Sequence, residues 1–305
     1  MASYIVKRMI AAVITVFLVA TLTFFLMFLV PGGPFLAEKA PSPQTLEALE
    51  KKYGLDQPVH IQYVNYMKHL LKGDLGTSLK LRGREVNDII KTGFPVSARL
   101  GAIAVLVAVV VGVTIGSIAA LTRGKWFDNF IMFFATLGIA IPSFVTATVL
   151  MHYFGVVLNI LPTFGLDSPK HYILPVTALA FYPTAYISRL IRSSMLDVLG
   201  QDYMRTARAK GLSQFVSLFK HALRNAILPV ITYLGPLLAS ILTGSFVVEK
   251  IFTIPGLGSQ FINSITGRDY PLIMGTTIFY AVLIIVMNVV VDILYKIVDP
   301  RIKLK

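Results

Sequence analysis

The chain contains no cysteine, which excludes disulfides and thiolate metal sites and leaves the redox compartment unreadable. Charge is also missing over long distances. Six stretches hold no Asp, Glu, Lys or Arg: Met9–Leu36, Leu100–Thr122, Asn129–Leu166, Tyr172–Ser188, Asn225–Val248 and Tyr270–Val291. Ion-coupled carriers and pumps need ionisable groups deep in the membrane, and Asp292, ahead of Lys296, is the one acid read as lying near the end of a span. That scarcity points to an energy source outside this polypeptide. No GxxxxGK[ST] run exists to cradle nucleotide phosphates, since Gly124-Lys125 is followed by Trp126. HExxH and the nucleophile elbow are absent too. His60, His69, His152, His171 and His221 are too scattered to suggest a metal site. His152, inside a span, reads as a hydrogen-bonded packing residue ahead of a proton relay.

What is present is apolar. The 305 residues are 55% hydrophobic with a mean hydropathy of +0.73, the composition of an integral membrane protein. Each uncharged stretch can cross about 30 Å of hydrocarbon at about 1.5 Å per residue. The expected fold is therefore all-α and membrane-embedded, with six transmembrane helices. Asn129–Leu166 exceeds one crossing and reads as a helix to about Phe154, then an apolar loop with Gly and Pro breakers. Tyr172–Ser188 is the shortest and borrows residues toward Ile191. The first stretch follows Lys7 and Arg8 like a signal peptide, but its run of about 21 apolar residues is too long for one and no small-x-small site follows. It reads as a retained helix.

The net charge of +13 is distributed unevenly. Two cations precede the first span, and the later loops carry 2, 1, 7 and 2, with 4 at the C-terminus. The segment from Pro31 to Pro95 mixes nine cations with seven acids, and long translocated segments are largely exempt from the charge rule. The alternation places both termini and the seven-cation loop in the cytoplasm. These charges flank spans, and no nucleic-acid motif accompanies them.

Pro31–Pro95 is expected to be an extracytoplasmic helical insert. Ser42-Pro43 suits an N-cap and first helical residue, with Leu46, Leu49 and Tyr53 at helical spacing before Gly54. A second helix is expected from about Pro58 to Leu71, with Ile61, Val64, Met67 or Lys68, and Leu71 along one side. Gly73-Asp74-Leu75-Gly76 turns the chain, and a short helix near Glu85–Lys91 leads to Phe94-Pro95. The insert either docks a partner or caps the outer ends of the spans. Gly112, Gly116, Gly138, Pro142, Pro175, Pro183, Gly235 and Pro236 interrupt the spans, allowing close approach or bending. Glu249 through Pro255-Gly256-Leu257-Gly258 to Arg268-Asp269-Tyr270-Pro271 suggests an irregular segment at the outer face.

The loop from Gln201 to Pro229 sets Arg205, Arg208, Lys210, Lys220 and Arg224 against one acid, Asp202. Asp202–Lys210 reads as a short helix with its cations toward the C-terminal end, where the macrodipole favours them. Gly211 permits a sharp reversal. Leu212, Phe215, Val216, Phe219 and Leu223 follow as one apolar helical stripe. On physics alone the loop is equally an interfacial helix snorkelling to lipid or a protein-docking element.

The residues of this loop, Asp202-Tyr203-Met204-Arg205-Thr206-Ala207-Arg208-Ala209-Lys210-Gly211 and His221 through Pro229, resemble the EAA loop of binding-protein-dependent ABC importer permeases, in the variant of the peptide permeases. Gly73-Asp74-Leu75-Gly76-Thr77-Ser78, Phe94-Pro95-Val96-Ser97-Ala98, and Thr243–Glu249 through Ile254–Gly258 to Arg268–Pro271 are similar to the same subfamily. The resemblance covers nearly the whole chain and is closest in type to the B-type membrane subunit of oligopeptide and dipeptide importers. It implies a type I importer transmembrane domain of the bacterial inner membrane. Residues 1–30 would form the first helix, 31–95 the insert, 96–295 the permease core and 296–305 a cytoplasmic tail. The implied partners are a second homologous permease, two cytoplasmic ATPases, an extracytoplasmic binding protein and a peptide. The chain itself would need no cofactor and catalyse nothing, with ATP and Mg in the ATPases. The resemblance implies ATPase coupling through Asp202, Tyr203, Arg205, Thr206, Ala207, Arg208, Lys210 and Gly211. Path or gate candidates are Ser143, Tyr182, Thr184, Tyr186, Thr243, Ser245, Glu249, Pro255 and Gly256. The wider pattern has Glu-Ala-Ala where this chain has Arg205-Thr206-Ala207, and its glycine-to-proline spacer is shorter, so a carboxylate contact at 205 is not carried over. Related importers of nickel, glutathione or oligosaccharide look alike, and a stand-alone channel or carrier is the reading from a different class.

Overall fold

The computed structural model describes residues 2–29, 33–35, 42–213, 216–242 and 246–298. In chain order the helices are α1 (Ala2–Leu29), α2 (Pro43–Tyr53), α3 (Val59–Leu71), α4 (Val86–Leu121), α5 (Trp126–Ala140), α6 (Ser143–Leu150), α7 (Pro169–Leu199), α8 (Asp202–Ala209), α9 (Leu223–Ala226), α10 (Leu228–Leu242), α11 (Phe246–Ile251), α12 (Leu257–Gly267) and α13 (Tyr270–Val298). Two π-helical segments, Met151–Val157 and Ser217–Ala222, extend α6 and precede α9. Among the described residues there is no strand, only an isolated Thr77–Glu85 bridge. Among the described residues, the helices Val6–Leu29, Val86–Leu121 and Tyr270–Ile293 are long and apolar enough to cross a membrane, the stretch Leu228–Ile251 that takes in α10 and α11 is so by length and composition, and a bent pair makes one more if it is one span. That pair, Trp126–Ala140 and Ser143–Val157, turns by 106°, in contrast to the single helix to Phe154 expected from the sequence. The break falls at Ile141-Pro142, both extended in backbone, because the residue before proline avoids the helical region. The sixth expected span lies in α7, which is long enough but more polar.

The chain forms two compact units, Met1–Val96 with Pro255–Ile285, and Ser97–Ile254 with Val286–Lys305. In the first, α2 begins as its sequence dictates: the Ser42 hydroxyl accepts from the Thr45 amide, Pro43 follows, and Gly54 closes the helix at φ +66°. The α3 helix also lies where the spacing predicts, but with its other side inward. Tyr63 and Tyr66 pack on Phe24 at ring distances of 5.3 and 5.5 Å, and the Tyr63 and Thr21 hydroxyls are hydrogen-bonded at 2.8 Å. Large aromatic rings bury more area than the aliphatic stripe, so Ile61, Val64 and Leu71 are left exposed. Phe94-Pro95 does not end a short helix: α4 runs through it, with Pro95 inside. Phe94 packs on Phe279 at 5.0 Å, and Gly93 faces the Leu257 backbone closely enough that a Cβ would lie 3.1 Å away. Those contacts hold the turn in which Pro95 withdraws a backbone donor.

In the second unit α7 is the central helix. It contacts α5, α6, α10 and α11, and α4 as well. At Gly112 a Cβ would meet Ile187 at 2.8 Å, and at Gly116 it would collide with the Ser188 carbonyl, so glycine sets how near α4 comes. Ser168 and His171 form a capping box at the start of α7. Pro175 and Pro183 lie within it, both buried.

Candidate functional site

Because α7 is packed on most sides, what it leaves open is selective. Tyr182, Tyr186, Arg189, Ser193 and Asp197 are exposed and recur at i, i+4, i+7, i+11 and i+15, a single helical stripe. Tyr186 packs on Tyr233 of α10 at 4.3 Å and stacks at 6.4 Å on Tyr182. A concavity of about 360 Å³ is lined by Ile139, Tyr182, Tyr186, Arg189, Leu190 and Ser193. The exposed face of α1, by contrast, is Val13, Phe17, Leu18, Leu22 and similar residues, suited to lipid. An arginine at the centre of a lipid-facing helix costs about 2.5–3.5 kcal/mol. The α7 stripe is therefore a surface for water or protein.

From the sequence, the uncharged stretch ends near Ser188 and Asp292 is the one acid near a span. In the structure α7 continues to Leu199, carrying Arg189 and Arg192 with it, and Asp128 lies inside α5. Asp128, 1% exposed, accepts from Arg192 Nε at 2.6 Å and Nη2 at 2.7 Å, and from the Gly124 amide at 3.0 Å. This bidentate pair ties α5 to α7. Arg189, one turn earlier, has no ion pair among the described residues.

Of the predicted path residues, Tyr182 and Tyr186 share the stripe. Thr184 is half-buried on another side, in a hollow with Phe130, Phe134 and Phe181. Ser143 is exposed at the start of α6, directly after Pro142. Glu249 is buried in α11. Pro255 is exposed, and Gly256, buried, precedes the first residue of α12. Leu257-Gly258 thus opens a helix rather than continuing an irregular segment. Thr243 and Ser245 lie outside the described residues.

The predicted coupling residues form one element. Asp202, Tyr203, Arg205, Thr206, Ala207 and Arg208 lie in α8, and the Lys210 amide continues its hydrogen bonding to the Thr206 carbonyl. Gly211 reverses the chain at φ +76°, and a Cβ added there would find no neighbour within 4 Å. The helix is held by Met204, fully buried in a hollow with Ala120, Leu121, Leu199 and Leu218, and by Asn225 donating to the Tyr203 hydroxyl at 2.8 Å. Asp202, Arg205, Thr206, Lys210 and Gly211 are exposed. The following apolar stripe differs from expectation. Leu218, Ala222 and Ala226 are buried while Leu212 and Phe219 are exposed, and Phe215 is outside the described residues. The π-helical turn of Ser217–Ala222 bonds i to i+5 and so brings fourth neighbours into line.

A second closed polar site lies in the first unit. Asp269, 1% exposed, precedes α13 and accepts from the Ser78 hydroxyl, the Leu79 amide at 3.1 Å and the Lys80 amide at 3.4 Å, with the Leu272 amide also at 3.4 Å. On the nearby turn the Gly76 amide and the His69 ring both bond to Asp74 and hold its carboxyl below the usual carboxylate range. Sequence reasoning does not single out Met204, Arg189, Ser193, Tyr233 or the Asp128–Arg192 pair. The stripe spacing from Tyr182 to Ser193 is visible in the sequence; the pairing of Asp128 with Arg192 has no local signal.

Comparison with known proteins gives a family match over residues 112–304, to the binding-protein-dependent transport system inner membrane component, and over residues 1–82 to the N-terminal region of such membrane components. The dipeptide transport system permease of Bacillus subtilis is 51% identical over 304 residues, covering 100% of this chain and 99% of the relative. The oligopeptide transport system permease of Haemophilus influenzae is 46% identical over 305 residues, covering 99% and 100%. Among solved structures, an inward-facing methionine ABC transporter matches with a TM-score of 0.57 at 15% identity, over 69% of this chain and 96% of that one. A crystal structure of an amino acid ABC transporter with histidines matches at 0.53 and 20% identity, over 69% and 94%.

Proposed function

This chain belongs to the family of binding-protein-dependent transport system inner membrane components, and from that premise we infer that it is the membrane subunit of an ATP-driven peptide importer. The cargo class rests on the full-length relatives, which transport dipeptides and oligopeptides by name. The observation that carries the mechanism is α8, a helix anchored by Met204 and Tyr203 that turns Arg205 and Lys210 outward and ends in a left-handed glycine. Such a helix is built to be gripped. Two cytoplasmic ATPases, closing on ATP, would push α8 here and on a second permease subunit, and both termini would lie on the same cytoplasmic side. Met204 passes the push to the inner ends of α4 and α7, whose Leu121 and Leu199 line its hollow. The bundle would then open outward to a binding protein and inward to the cytoplasm in turn, with the α7 stripe along the path. ATP and Mg belong to the ATPases, and this subunit performs no chemistry.

Purification from native membranes tests the reading. The ATPases and a second permease should co-elute, and the assembled complex in proteoliposomes should take up labelled peptides. Gly211→Pro should assemble but lose uptake, since proline holds φ near about −65° where the chain needs +76°. Elution of the chain alone, with transport intact, would sink the proposal in favour of a channel or carrier. Uptake of nickel, glutathione or an oligosaccharide instead of peptides would keep the motor and replace the cargo.

A further inference from the structure

We propose that Arg189 is a cargo-reading residue that binds the C-terminal carboxylate of the peptide in transit. The inference rests on the peptide-importer reading above and names what the α7 stripe recognises. Two arginines stand one turn apart on this helix. Arg192 has its carboxylate, Asp128, in bidentate geometry. Arg189 has none among the described residues, yet it faces a concavity of about 360 Å³ built by this chain alone, within the range of ligand sites. An uncompensated arginine on a span needs water or an anion, and its planar fork of donors fits a carboxylate.

The neighbours favour a peptide end. Ser193 adds a hydroxyl one turn further on, and Tyr182 and Tyr186 present rings and hydroxyls on the other side of Arg189. Aromatic faces receive varied side chains with little selection. The carboxylate, by contrast, is the anion that every linear peptide with a free end carries. One fixed cation beside tolerant aromatic walls therefore reads the cargo class while ignoring its sequence. The competing occupant is a carboxylate of the neighbouring permease subunit.

The assembled importer in proteoliposomes, supplied with its binding protein, should be compared for uptake of a peptide and of its C-terminal amide. Wild type, Arg189→Gln and Arg189→Lys share one binding protein, so any change in the acid-to-amide ratio belongs to the membrane subunit. Arg189→Gln should slow the acid by about tenfold, the scale of one charge-assisted pair, and so lower the acid-to-amide ratio. Arg189→Lys should keep part of the preference, because it keeps the charge without the fork. An unchanged ratio in Arg189→Gln overturns the proposal. So does loss of the second permease from the purified Arg189→Gln complex, which would assign Arg189 to a subunit contact. If the wild type carries neither form, the peptide reading itself falls, an outcome distinct from an unchanged ratio.

Discussion

Asp269 and α8 both place polar groups at the end of a long helix, and they are built in opposite ways. Asp269 is buried, and its carboxylate collects donors from the segment of residues 78–80 and from its own helix. The α8 helix inserts one methionine and leaves its described charged side chains outside. The same contrast separates Arg192 from Arg189. Polar groups that hold the fold are satisfied within the chain, because an unsatisfied buried group is costly. Those left open are where a second molecule can act.

That contrast can be broken on its closed side first. Asp128→Ala strands Arg192 and should destabilise by about 3–5 kcal/mol, read as a lower unfolding midpoint of the detergent-solubilised protein; Asp128→Leu with Arg192→Met should recover most of it. Asp269→Ala removes a helix cap and the acceptor of four donors, two of them buried, for about 2–3 kcal/mol, and Asp269→Asn should recover part. On the open side the stability effects shrink while the functional ones do not. Gly211→Ala meets no neighbour and should cost only about 1 kcal/mol of backbone strain, yet lower transport per ATP hydrolysed. Arg205 and Asp202 are paired at 3.5 Å with side chains 78% and 95% exposed, so Arg205→Ala should leave the midpoint within about 0.5 kcal/mol and reduce ATPase co-elution.

The smallest effect is a pH dependence. Asp74 is held low by the Gly76 amide and then by His69, so its contribution is present above the unfolded carboxylate value of about 3.9. It is lost as pH falls through the lower folded value. Asp74→Asn should flatten the acid limb of a pH–midpoint curve. An identical limb in the variant would show that the turn does not titrate.

Much of the fold is legible where local chemistry decides it. Ser42-Pro43 and Gly54 mark α2 because capping is a matter of a few adjacent atoms. Gly211 marks the reversal after α8 for a similar reason: its left-handed backbone disfavours other residues. What is not legible depends on distant partners. The inward face of α3 follows from Phe24, remote in sequence, and Pro95 remains within α4 alongside the packing of Gly93 and Phe94. Helix rotation divides the path candidates: Tyr182 and Tyr186 share a face, and Thr184, two residues from each, cannot. The anchoring of α8 by Met204 escapes sequence reasoning because a lone methionine among cations gives no periodic signal.

The link from Ser78 to Asp269 spans 191 positions, and this has a consequence for synthesis. The first unit is discontinuous, drawing on Met1–Val96 and Pro255–Ile285, whereas most of the second is the single run Ser97–Ile254. Contacts far apart in sequence form late, and chains fold as they emerge, N-terminal parts first. The amides of Leu79 and Lys80 must therefore wait until residue 269 has left the ribosome. Closure of Asp269 over them is therefore a late event: a nascent chain stopped before residue 269 leaves those donors without that acceptor.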